Sequence, residues 1–184
     1  RGGLILSTYE FKDVIDKGCP LVLGGPMPHV MAAKAIAFKE ANTKEFCEYA
    51  KKIVINAKTL AETLQSLGAR VITGGTDNHL ILVDVFSSFG LTGRQAETIL
   101  REAKLTVNRN SIPLDENGAW YTSGIRIGTP AMTTLGMKGD EMKEIGRIIY
   151  DVLKNTKPAI VEKTKKQSKA KAFVEINILK KAQK

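Results

Sequence analysis

The sequence predicts an α/β protein with an α+β small domain, in which helices pack on one small, mostly antiparallel sheet. Three observations predict it. Residues 44–67 carry Phe46, Tyr49, Ile53, Ala57, Leu60, Leu64 and Leu67 at alternating spacings of three and four, the apolar stripe of an amphipathic helix. Met142, Ile145, Ile149 and Val152 repeat that stripe over 139–154. Between the two helices the chain turns to short apolar runs separated by turn residues, the pattern of strands.

The elements follow in order. Gly3-Leu4-Ile5-Leu6-Ser7 reads as a buried strand, 9–17 as a short helix or turn, and Pro20 to Pro28 as a loop rich in Gly and Pro. Residues 29–41 are Ala-rich and favour a helix with close packing. Gly68 is placed to end the long helix over 44–67. Arg70-Val71-Ile72-Thr73 is strand-like, Gly74-Gly75-Thr76-Asp77-Asn78 is a turn, and His79 to Val85 is a strand. Thr92 is an N-cap for a helix over 93–104. Extended pieces are expected near 105–109 and 124–128, with Asp115-Glu116-Asn117-Gly118 as a turn between them. Pro158 breaks the chain before a final helix over roughly 159–182. The change of texture near 42–45 marks a boundary between residues 1–43 and 44–184. Residues 1–45 form an incomplete layer, and an exposed apolar surface is expected there.

The 184 residues are 43% hydrophobic and 26% charged, the composition of a soluble globular chain. No apolar run is long enough to span a bilayer, and no signal-peptide layout opens the chain. The first residue is Arg rather than Met, so the chain is read as starting inside a longer gene product. Cys19 and Cys47 lie far apart and fit no metal spacing, which points to a reduced, cytoplasmic protein without a metal site. The formal charge is +9, but residues 157–184 hold nine Lys and two Glu, while the first 156 residues carry 19 basic and 17 acidic groups. A Lys-rich tail with almost no aromatics offers no platform for stacking bases, so it reads as a solvated helix face. The alternative is a stand-alone interaction domain that holds RNA or another anionic partner through this tail.

The candidate functional residues begin with Thr122-Ser123-Gly124-Ile125-Arg126-Ile127-Gly128-Thr129-Pro130. In a strand Ile125 and Ile127 share one face, and Arg126 points to the other. The flanking glycines let a backbone or a ligand come close. Two readings of Arg126 stand side by side: a fork for a carboxylate or phosphate, or an ion pair with an Asp or Glu of the same protein. Gly24-Gly25-Pro26-Met27-Pro28-His29, ahead of the Ala-rich helix, is either a phosphate-binding entrance or an ordinary tight turn. His79 reads as a structural hydrogen-bonding residue. Asp84 and Asp77 read as a strand-end and a turn residue.

Together the segments resemble one family. Arg1-Gly2-Gly3-Leu4-Ile5-Leu6, Gly24-Gly25-Pro26 with His29, Gly74 to His79, Thr106 to Pro113 and Ser123 to Pro130 stand in the order and spacing of the carboxyl-terminal part of serine hydroxymethyltransferases, over residues 1 to about 160. The resemblance implies the aspartate-aminotransferase-like fold of pyridoxal-phosphate enzymes. It implies transfer of a one-carbon unit between serine and tetrahydrofolate, giving glycine and methylenetetrahydrofolate, by a homodimer or homotetramer. It assigns the substrate carboxylate to Arg126. Gly24 and Gly25 match the loop that reaches the cofactor phosphate of the neighbouring subunit, and Arg1 approaches the cofactor pocket. Asn110 matches a residue that touches folate, and Gly118-Ala119-Trp120 the segment that flanks its rings. Trp120 stands where the family has Phe, and Pro20-Leu21-Val22-Leu23 replaces a more glycine-rich run. The lysine that forms the Schiff base with the cofactor lies upstream of Arg1, so no catalytic residue is assigned here and the chain alone is expected to be inactive.

Overall fold

The computed structural model describes residues 3–161 and 166–183. The chain divides into two compact units, Arg1–Cys47 and Glu48–Lys184.

In the first unit a 3-10 turn at Tyr9–Phe11 leads into α1 (Lys12–Leu21), which kinks at Cys19. Pro20 disfavours helical backbone in the residue before it, and Cys19 takes an extended ψ of 86°. α2 (Pro28–Ala41) starts with Pro at a first-turn position, where the missing N–H leaves no bond unmade. Residues 3–7 do not form the expected strand. Leu4, Ile5 and Leu6 are exposed, and no strand among the described residues pairs with them. No described residue of 3–47 is buried, and Tyr9, Val14, Leu21, Met31 and Phe38 add to the exposed apolar surface expected there.

The second unit is built on α3 (Lys44–Ser66), whose stripe buries Ile53, Ala57, Leu60, Ala61 and Leu64. Gly68, at φ 101°, ends it, and Ala69 N–H closes back onto the Leu64 carbonyl at 3.0 Å. A four-stranded antiparallel sheet follows in the order β1 (Arg70–Val71), β2 (Leu80–Asp84), β4 (Gly124–Gly128), β3 (Asn108–Asn110). Its inner face carries Val71, Ile81, Val83, Ile125 and Ile127. These residues join α3, α5 (Gly93–Glu102) and α8 (Gly139–Lys154) in one core with Ile99, Leu100, Met142, Ile149 and Leu153. Each fully buried Leu or Ile contributes about 2 kcal/mol through apolar area removed from water. Gly146 lets α8 close on α3, since a Cβ there would stand 2.8 Å from Thr63 Cγ2. Thr92 caps α5 as expected, and Gln95 completes a capping box. Three short helices were not expected: α4 (Val85–Phe89), α6 (Gly118–Tyr121) and α7 (Pro130–Thr134).

The final helix over 159–182 is replaced by two paired strands and a short helix. β5 (Lys157–Val161) pairs antiparallel with β6 (Lys166–Phe173), and α9 covers only Ile176–Ala182. The lysines of β6 therefore lie on a strand, not on a solvated helix face. Ser168, Ala170 and Ala172 are half-buried, while Lys169, Lys171 and Phe173 point out. Lys and Ala favour helix locally, but bonds from α5 override that preference. The buried Gln95 amide donates to the carbonyls of Ser168 and Lys171, and Thr92 Oγ1 donates to the Lys169 carbonyl at 2.7 Å.

Candidate functional site

β4 has the alternation that its sequence demands. Ile125 and Ile127 are buried, and Arg126 between them is exposed on the opposite face of the sheet. Gly124 is explained by close neighbours within the protein. A Cβ there would stand 2.6 Å from Ile112 Cγ2 and 3.0 Å from the carbonyls of Asn110 and Val83. At Gly128 a Cβ would meet only ordinary contacts from 3.5 Å outward.

The outer face of the sheet is fixed by register. Arg126 lies opposite Leu82 on one side and Asn108 on the other, and Asn110 lies opposite Gly124. Asn108, Asn110 and Arg126 thus share one face, with Asn110 the diagonal neighbour of Arg126. Arg126 and Asn110 line one cleft of about 530 Å³, walled by Leu80, Leu82 and the turn 72–78. That turn bends sharply at Thr73, Gly74 and Gly75, with φ of 63°, 70° and 150°. It is tied to β2 by Thr76 Oγ1, which donates to the Leu80 carbonyl at 2.6 Å, and by Leu80 N–H, which donates to Asn78 Oδ1 at 2.7 Å.

Among the described residues no carboxylate pairs with Arg126, so the internal ion pair open to it in sequence is not formed. Asp77, in the same cleft, pairs with Lys58 at 3.4 Å. Asp84 is fully buried under Arg70 at 3.0 Å and caps α4 through Ser87. Asn110 Nδ2 donates to the Ser111 carbonyl at 2.7 Å, and its Oδ1 has no partner among the described residues.

Gly118, Ala119 and Trp120 are exposed on α6 but do not line this cleft. The Trp120 ring has the guanidinium carbons of Arg94 and Arg109 at 5.2 and 5.1 Å from its centroid. Arg109 also pairs with Glu97 at 3.5 Å, and it points to the face of β3 opposite Asn110. In the first unit Gly24 needs its positive φ of 74°. Gly25 has no such need, and nothing lies within 4 Å of a Cβ built there. His29 is exposed in the first turn of α2. Arg1 lies outside the described residues. His79 departs from expectation: only its backbone carbonyl is used, accepting from Thr129 N–H at 3.2 Å, and its imidazole is exposed without a hydrogen bond among the described residues.

Asp115 is the residue whose part in the site sequence reasoning missed. Its carboxylate accepts four bonds: from the N–H groups of Ile112, Asn117 and Ser123 at 3.2, 2.9 and 2.8 Å, and from Ser123 Oγ at 2.6 Å. The bond to Asn117 is an Asx turn, the one part legible in Asp115-Glu116-Asn117-Gly118. Burial alone would raise this carboxyl, but the Ser123 hydroxyl and the three N–H groups outweigh it and hold it below the ordinary value. A lowered carboxyl stabilises the fold above its unfolded pKa, and that contribution is lost as pH falls through the folded value. Denaturant unfolding should therefore separate Asp115→Asn from the parent most at pH 7. The gap should narrow as pH drops below about 4.

Among the described residues no three His, Cys, Asp or Glu side chains group as a metal site, and no helix is long and apolar enough to cross a membrane.

The fold and the cleft define a mixed helix–sheet domain that presents one guanidinium unpaired within the described residues on the open face of its sheet. The family model for serine hydroxymethyltransferase matches residues 5–149, and the chain belongs to that family. The serine hydroxymethyltransferase of Cutibacterium acnes is 54% identical over 171 residues, 93% of this chain and 35% of that protein. That of Mycolicibacterium smegmatis is 53% identical over 165 residues, 90% of this chain and 34% of that protein. That of Chlamydia felis is 56% identical over 155 residues, 84% and 31% respectively. The chain spans about a third of the length of these relatives. Nothing in these matches supports the alternative of an RNA-binding or other anion-binding module.

Proposed function

We propose that this chain is the carboxyl-terminal part of an enzyme that interconverts serine plus tetrahydrofolate with glycine plus 5,10-methylenetetrahydrofolate, using pyridoxal phosphate. The observation that carries the reading is Arg126, exposed in a cleft from a strand whose neighbours are buried and unpaired with any described carboxylate. Its planar fork takes the carboxylate of serine or glycine through two parallel bonds. Two-point attachment would fix the amino acid's rotation and so orient the bond to be broken. When bound, pyridoxal phosphate supplies an electron sink for the pair released by that bond. Asn110, on the same face, offers its free Oδ1 to a donor on the folate. Gly118, Ala119 and Trp120 flank the folate rings from α6, with Arg94 and Arg109 competing for the indole faces.

The loop at Gly24 and Gly25 is read as one wall of a phosphate site because it turns at Gly24, with φ 74°, and leads directly into the N-terminus of α2. Backbone N–H groups ahead of a helix suit an anion. In this reading the loop serves the neighbouring subunit of a homodimer or homotetramer, with His29 supporting it. Residues 1–43 are the end of the large domain, and 44–184 the small domain. In this reading the whole protein works in the cytoplasm. The test is an assay of the full-length protein with the cofactor. Serine cleavage should yield glycine and methylenetetrahydrofolate and should depend on tetrahydrofolate. Cleavage of a different amino acid, indifferent to folate, would overturn the assignment.

A further inference from the structure

We propose that Asp115 is a positioning residue that sets how Asn110 and Arg126 stand beside each other on the sheet face that lines the cleft. The inference rests on the reading of Arg126 and Asn110 given above. Asn110 ends β3 and Gly124 begins β4, so the two candidate ligands are joined through residues 111–123. Asp115 closes that excursion at its base. Its Oδ2 accepts from Ile112 N–H, two residues after Asn110, and from Ser123 N–H, three residues before Arg126. One carboxylate oxygen therefore ties the end of one strand to the start of the next. Its Oδ1 accepts from Asn117 N–H and Ser123 Oγ, and Asn117 Nδ2 donates to the same hydroxyl at 2.9 Å.

The strands need this tie. β3 is a three-residue edge strand whose one ladder partner among the described residues is β4. Opposite Asn110 stands Gly124, which offers no side chain to lock against. Three of the four groups at Asp115 are amides that can only donate, so the residue there must accept on both oxygens. A carboxylate does so, whereas an amide turns an N–H₂ toward a donor. Asp115→Asn thus removes the tie at nearly constant volume.

The test uses the full-length holoenzyme. Asp115→Asn should raise the KM for serine and for tetrahydrofolate by about tenfold each, with kcat changed less than about threefold. Without any substrate, amide exchange over 112–123 should speed up. Ser123→Ala keeps the amide bond and drops the hydroxyl, so it should raise both KM values by about threefold. It carries the test alone if Asp115→Asn does not fold. Faster exchange or a lower Tm with both KM values unchanged in the folded variant means a purely structural role and overturns the proposal. Arg126→Lys, assayed in parallel, separates the two readings. If it leaves serine KM unchanged, the carboxylate assignment has failed. If it weakens serine while Asp115→Asn and Ser123→Ala do not, the positioning role has failed.

Discussion

Gly93→Ala is expected to destabilise the protein by about 3 kcal/mol or more, enough to lower Tm by roughly 6–12 °C in a unit of this size. Gly93 is the first residue of α5, and its N–H donates to the Thr122 carbonyl at 2.9 Å. A Cβ added there would sit well inside van der Waals contact of Thr122 Oγ1 and of the Gly124 carbonyl, with Arg109 Cβ at 3.3 Å. The carbonyl is backbone, so it cannot rotate aside as a flexible side chain could. Relief requires α5 to lift from β4, which would also strain the bonds from Thr92 and Gln95 to β6. Gly128→Ala is the control, because its Cβ would meet only contacts of 3.5 Å and more. That variant should shift Tm by no more than about 2 °C. Equal melting of the two variants would show that α5 does not sit on β4 as described.

Arg126→Ala is expected to act in the opposite way, on activity and not on stability. Losing a two-bond, charge-assisted contact to a carboxylate should lower kcat/KM for serine in the full-length enzyme by about 1000-fold, or about 4 kcal/mol. Arg126→Lys should recover little of this, because an ammonium cannot present two parallel donors. Both variants should melt within about 2 °C of the parent, since the side chain is exposed and has no ion-pair partner among the described residues. A large loss of Tm in either would mean that Arg126 supports the fold and not the ligand.

The parts of the fold that were legible are those decided by local pattern. Alternation placed Ile125 and Ile127 inward and Arg126 outward, and the three–four stripe placed α3 and α8. Thr92 announced a cap, and Gln95 three residues on completed it. What was not legible depends on distant partners. Leu4-Ile5-Leu6 has a strand's composition, but a strand forms only beside another, and no described strand lies beside it. The tail has a helix former's composition, yet Gln95 and Thr92, more than seventy residues earlier, hold β6 extended. The site divides in the same way. Arg126 and its face were readable, as was the turn 74–78 that walls its cleft, whereas Ile72 and Thr73 have a strand's composition but belong to the bend, with Thr73 at φ 63°. The pairing of Trp120 with Arg94 and Arg109 was not, because it joins α5, α6 and β3. Asp115 showed only its Asx turn, while its bonds to Ser123 span eight residues.

The central claim is that Arg126 reads a carboxylate. Calorimetric titration of the full-length holoenzyme with glycine and with glycinamide tests it most directly, since the two ligands differ only in the group Arg126 would hold. The parent enzyme should prefer glycine by about 100-fold or more, and Arg126→Ala should bind the two within about threefold of each other. Retention of the full preference for glycine by Arg126→Ala would contradict the claim.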